Sequence, residues 1–201
     1  MYEKMAEING LDMEFGVGQA LFDDANNPKK RYFLEKRWDM GGKVLGAIMM
    51  NPSNAGAIEN DPTIEKLIKY AKYNDFSALY IINIIPVIDS QSVNIKGKQD
   101  SFVSDDKQIK CFEYVLDNTD CIYIGWGRTG QKYLPILLTD TELKNKFLAN
   151  LQKFFVTGIS DKNFPYHPLQ KRQGLPRLEE NTKLKSASKL IESWIKEIDN
   201  K

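Results

Sequence analysis

The chain is short of cysteine and histidine and carries almost no net charge, and each shortage removes a class of function. Cys111 and Cys121 are the two cysteines. They form no CxxC pair and have no neighbouring histidine, so they read as buried thiols of a reducing compartment, and a zinc or iron–sulfur site lacks ligands. The formal net charge of +1 does not call for nucleic acid or an acidic partner, although a local basic patch is compatible with it. No apolar run is long enough to cross a bilayer, and the first residues, MYEKMAEINGLDMEFG, hold no signal-peptide core. A cytoplasmic location is expected, with no membrane partner. Neither a Walker A sequence nor a GxGxxG fingerprint occurs. With one histidine and no clustered ligands, neither a metal nor an organic cofactor is expected.

What is present is ordinary for a globular protein: 201 residues, 42% apolar and 27% charged, enough for one domain with a sizeable core. Residues 1–30 are weakly patterned and read as an N-terminal extension, and residues 31–201 as a single α/β domain. The organising stretch runs from Val44 to Thr63. An uncharged apolar run, Val44 to Met50, breaks into Asn51-Pro52-Ser53, and Asp61-Pro62-Thr63 then starts a helix with an N-cap and a proline at its first position. Ala20-Leu21-Phe22 is a short strand. Arg31 to Trp38 roughly alternates and reads as a strand with one wet face. The Met40-Gly41-Gly42 turn suggests that it forms an antiparallel hairpin with Lys43 to Met50. Further strands are expected at Ala78 to Ile85, Asp120 to Gly127 and Lys153 to Gly158. Helices are expected at about Phe102 to Asp117, Gln131 to Leu151 with a break, and Asn181 to Asp199. The link from Val87 to Ser101 is polar and long. Alternating strands and helices imply a three-layer α/β/α domain. Its sheet is expected to be mostly parallel, four or five strands wide, with an antiparallel addition on the N-terminal side.

If the strands are parallel, their carboxyl ends share one rim, where ligands bind in such sheets. That rim would receive Asn51 and Ser53, Asn83, the Gly125-Trp126-Gly127-Arg128 turn and His167. Asn51-Pro52-Ser53 either satisfies its own backbone as a turn or presents an amide that orients water or a base edge. Asn83, in an apolar strand, either ties strand to loop or contacts a ligand. His167 sits between Pro165 and Pro168, a stiff mount for an acid, a base or an oxyanion stabiliser. Trp126 is a core tryptophan or a stacking face. Asp61 is a helix cap or a water-positioning carboxylate. Arg31, Arg37 and Trp38 form a charged exterior or part of the site.

The series Arg31-Tyr32…Arg37-Trp38, Met50-Asn51-Pro52-Ser53-Asn54-Ala55, Asp61-Pro62-Thr63, Asn83-Ile84-Ile85-Pro86, Trp126-Gly127 and Pro165-Tyr166-His167-Pro168-Leu169 resembles the family known as domain of unknown function 1643. The resemblance covers about residues 28–172 and implies no assigned activity. The layout is also similar to the uracil-DNA glycosylase superfamily, with Asn51-Pro52-Ser53 at its water-activating motif, Asn83 at its base-reading position and His167-Pro168-Leu169 at its last motif. Asn51 stands where an acidic residue is usual, although some members use asparagine there, and Leu169 stands where serine is usual. That likeness implies hydrolysis of an N-glycosidic bond in DNA or a nucleotide. Asn51 and His167 would be catalytic. Ser53, Asn83, Trp126, Asp61, Arg128 and Arg31 would bind substrate. Lys171, Arg172, Leu175 and Arg177 would contact nucleic acid, with Leu175 as a wedge that displaces a base. The alternatives are a non-enzymatic nucleotide or nucleic-acid binding module, and a homodimeric interaction domain using the aromatic surface near Tyr32 and Trp38.

Overall fold

The computed structural model describes residues 12–15, 18–53, 55–88 and 105–200. The link expected from Val87 to Ser101 therefore lies, but for its first two residues, outside the described residues, as does the expected helix start at Phe102. In chain order the elements are β1 (Asp12–Phe15), β2 (Gly18–Phe22), β3 (Arg31–Arg37), β4 (Lys43–Met49), α1 (Pro62–Tyr73), β5 (Phe76–Asn83), α2 (Asp106–Asp117), β6 (Cys121–Ile124), α3 (Gly127–Leu137), α4 (Thr141–Ala149), a 3-10 turn (Leu151–Lys153), β7 (Phe154–Val156), β8 (Lys185–Ser186) and α5 (Ser188–Asp199).

The strands form one eight-stranded mixed sheet in the order β1-β2-β3-β5-β4-β6-β7-β8. Only β5, β4, β6 and β7 run parallel. The pairs β1–β2, β2–β3, β3–β5 and β7–β8 are antiparallel, so the expectation of a mostly parallel sheet is corrected. The expected β3–β4 hairpin is absent for a related reason: β5 lies between the two strands. The connection crosses the start of β5 instead of doubling back. Trp38 and Asp39 donate their backbone N–H groups to Ser77 O, each at 3.2 Å, and the Trp38 indole N–H donates to Phe76 O at 2.7 Å. Gly42, at φ +91°, makes the turn, and a Cβ there would lie 2.4 Å from the Ser77 hydroxyl. On the far edge, Lys185–Ser186 pairs with β7, which delays α5 to Ser188.

Side chains alternate between two cores. Val44, Ile48, Ala78, Tyr80, Ile82, Ile122 and Ile124 pack with α2, α3, α4 and α5 on one face. Leu45, Ala47, Met49, Leu79, Ile81 and Tyr123 pack with α1 on the other. The layering is thus one helix against four. No helix among the described residues is long and apolar enough to cross a membrane.

Strand β3 departs furthest from its expected form. It has no wet face: residues 31–36 are all buried. The pairing of Leu21 with Phe33 and of Phe22 with Arg31 leaves Tyr32 as an extra residue, a bulge. The bulge puts Arg31 on the α1 side of the sheet with Leu34 and Lys36. Tyr32 and Phe33 join the opposite core, where the Tyr32 hydroxyl donates to Asp105 at 2.7 Å. Glu35, 1% exposed, accepts from Gln19 at 2.8 Å and from Arg37 at 2.5 Å. Of the aromatic surface expected near this strand, Tyr32 is inside, and Trp38 is half-buried with its indole N–H held by Phe76 O.

Candidate functional site

Four strand ends meet at a cleft of about 390 Å³. Its walls include Arg31 from β3, Asn51 and Ser53 after β4, Asp61 at the start of α1, and Asn83 at the end of β5. Trp126, Gly127, Arg128 and Thr129 after β6, and His167 beyond β7, also line it. These elements arrive together because β5, β4, β6 and β7 are parallel neighbours whose carboxyl ends face one way.

Two cations on β3 grip the loop that leaves β4. Arg31 donates to Ala55 O through Nη1, and the Lys36 ammonium donates to Ala57 O at 2.8 Å and Glu59 O at 3.2 Å. Ala55 and Ala57 are themselves packed in the α1-side core, so the loop is held by its carbonyls and by its side chains. It delivers Asp61, whose Oδ1 accepts from Ile64 N at 2.8 Å and whose Oδ2 accepts from the Ser53 hydroxyl. Asp61 is thus the cap of α1, and Ser53 is tied to it.

Arg31 is 2% exposed and forms the floor of the cleft. Burial lowers its pKa to about 10 while Asp61 works in the opposite direction, so it is charged at neutral pH. Its Nη2 donates to Asn83 Oδ1 at 3.4 Å, and its Nε has no partner among the described residues. The Asn83 backbone carbonyl accepts from Gln108 of α2. With Oδ1 held by Arg31, the Asn83 amide N–H groups are the donors left for a ligand. The floor therefore suits an acceptor oxygen.

His167 Nδ1 accepts from Leu169 N at 3.2 Å. That bond fixes the neutral tautomer with the proton on Nε2. Burial lowers the His167 pKa, and Asp61 only partly opposes this. The segment is seated on β6 through Gly125, where a Cβ would lie 2.6 Å from the Tyr123 ring and 3.1 Å from Pro168 Cδ. Tyr123 in turn donates to Tyr166 O at 3.1 Å. Gly125→Ala is expected to cost about 1–3 kcal/mol by overpacking and to lower the thermal midpoint by about 2–4 °C for each of those kcal/mol. An unchanged midpoint would show that the histidine segment does not rest on this glycine.

Some expected members are placed differently. Trp126 borders the cleft, but its indole is 1% exposed, lies 5.7 Å from the Trp194 ring and donates to Gln131 at 2.9 Å. The expected stacking face is a core surface. Lys171, Arg172, Leu175 and Arg177 lie outside the cleft, in two neighbouring depressions. Leu175 is half-buried beside Phe164 and Tyr166, not a free apolar tip. Among the described residues no group of three or more His, Cys, Asp or Glu is placed to hold a metal. Nothing in the local sequence marks Lys36 or Gln108, which act through backbone carbonyls. Thr63, directly after the Asp61-Pro62 start signal, could have been found as a first-turn residue facing the rim.

Comparison of the chain with known families agrees with the motif order. Residues 31–169 match DUF1643, described as a protein of unknown function, and the chain belongs to that family. No curated protein and no solved structure matches it.

Proposed function

We propose that the cleft hydrolyses an N-glycosidic bond of a nucleotide or nucleic acid. The observation that carries this reading is the neutral His167, its Nδ1 occupied by Leu169 N–H and its Nε2–H left to donate. Asn51 orients the attacking water. Arg31 and Asn83 hold an oxygen of the base. His167 donates to the oxygen that gains charge as the base leaves. Water adds at C1′, the C1′–N bond breaks with its electron pair moving to the base, and the water proton ends on the base. The likeness of Asn51, Asn83 and His167 to uracil-DNA glycosylase motifs supports the same assignment, and the reading asks for no cofactor.

The test is chromatographic detection of free base from nucleotides and from DNA carrying modified bases. His167→Ala is expected to lower the rate about 10²–10³-fold while ligand affinity persists. Ligand binding with no turnover by the wild type would mark a binding module instead. The pH profile has a defined sign. The folded-state pKa of His167 lies below its ordinary 6.5, so neutral His167 persists through pH 6.5 and activity falls only at lower pH. Stability starts to decline near 6.5, because below that pH the unfolded chain binds the proton first. An activity midpoint at or above 6.5 would sink this role for the ring.

A further inference from the structure

Hydrolysis in this cleft needs a group that takes a proton from water, and neither Asn51 nor His167 can do so. The Asn51 amide orients water but is not a base, and its Nδ2 donates to Pro52 O at 3.2 Å. His167 has its Nδ1 lone pair occupied by Leu169 N–H and a proton on Nε2, so the ring donates into the cleft. Among the described residues that line the cleft there is one carboxylate, Asp61.

Asp61 uses its two oxygens for different tasks. Oδ1 accepts from Ile64 N at 2.8 Å and caps α1. Oδ2 accepts from the Ser53 hydroxyl, a bond that the helix cap does not require. A hydroxyl has one proton and two lone pairs, so Ser53 Oγ still accepts from another donor while its proton rests on Asp61. Ser53 is half-buried, lines the cleft, and leaves the end of β4 in the same turn as Asn51. The pair is held in place from β3, where Arg31 and Lys36 bind the carbonyls of Ala55, Ala57 and Glu59 in the loop between Ser53 and Asp61. Burial lowers the pKa of both Arg31 and His167, and Asp61 opposes this in both, so its charge reaches the floor of the cleft and its proton donor alike.

We propose that Ser53 and Asp61 form the proton relay of the cleft. Ser53 Oγ takes a proton from the attacking water as its own proton passes to Asp61 Oδ2. The water oxygen bonds to C1′, and the C1′–N bond breaks with its electron pair moving to the base. Asp61 then gives up the proton, which ends on the base, so the overall hydrolysis balances. Ser53 touches the water, and Asp61 acts through Ser53. The relay rests on the glycosidic reading above.

The test follows base release by chromatography, with the full chain and the same nucleotides and modified-base DNA. Asparagine and glycine both cap helices, so Asp61→Asn and Asp61→Gly are expected to keep the thermal midpoint close to that of the wild type. Asp61→Asn is expected to lower kcat about 10²-fold or more with KM little changed. Asp61→Gly opens room beside Ser53, and added formate is expected to restore part of its rate, a rescue that a merely structural cap would not show. Ser53→Ala is expected to lose rate to a similar degree, and Ser53→Thr, which keeps the hydroxyl, to retain most of it. Asp140→Asn makes the same change at the cap of α4 and is expected to leave the rate unchanged. Base release by the wild type that survives Asp61→Asn or Ser53→Ala, or an Asp61→Gly variant on which formate has no effect, would overturn the relay and leave the glycosidic reading standing. No base release by the wild type would defeat both.

Discussion

Arg31→Met is expected to weaken binding of a nucleotide by about 10- to 100-fold, because each charge-assisted hydrogen bond lost from a dry site is worth about 1.5–3 kcal/mol. Its effect on folding should be much smaller. The substitution leaves the Ala55 carbonyl and Asn83 Oδ1 without a donor, but it also removes a guanidinium whose burial opposes folding. The two effects oppose each other, so the thermal midpoint should move by only a few degrees. Arg31→Lys separates charge from shape. A lysine ammonium cannot reproduce the planar fork that reaches Ala55 and Asn83 together. It should therefore recover only part of the affinity. Wild-type affinity in Arg31→Met, measured by calorimetry, would remove the residue from the site.

Lys36→Met should act the other way, strongly on the loop and on folding. The thioether chain keeps the apolar volume of the lysine stem, so packing is nearly conserved. What is lost are the Lys36 donors to Ala57 O and Glu59 O. Removing the donor to a buried acceptor costs about 1–3 kcal/mol, a cost that falls on buried Ala57 more than on exposed Glu59, whose carbonyl can turn to water. The expected result is a midpoint lower by about 2–4 °C for each kcal/mol lost. Amide exchange should also quicken across residues 55–61 before it does in β4 or β5. Uniform exchange throughout the sheet would mean that the loop is not an independently released unit.

Both predictions concern residues whose placement the local pattern hides. The stretch from Val44 to Thr63 was legible: an uncharged strand, a polar break and an Asp-Pro-Thr helix start each have a local physical cause. The strand ends that carry Asn51, Asn83, Trp126 and His167 followed from it, and they meet at one cleft. Strand β3 was not legible, because alternating charge has the same pattern whether the polar side chains meet water or each other. Glu35 meets Gln19 and Arg37, and Lys36 meets backbone carbonyls, all contacts distant in sequence except one. The bulge at Tyr32 then shifts the alternation, so counting by twos assigns Arg31 to the wrong face. The Gly41-Gly42 turn has the signature of a hairpin, and only long-range pairing places β5 between its arms. Trp126 was open to a stacking role because nothing near it in sequence reveals Trp194 as its packing partner.

The two-residue strand β8 has a consequence for solubility. It pairs Ser186 with Phe155 and Lys185 with Val156, and so covers the outer edge of β7, the apolar strand Phe154–Val156. An uncovered strand of that composition is a template on which another chain can add. Both residues of β8 are exposed, and its brevity and its lysine make it a poor template itself. This short segment thus keeps the parallel half of the sheet from growing into a neighbouring molecule. A chain cut before Lys185 would present Phe154–Val156 as an open edge and would be prone to aggregate through it.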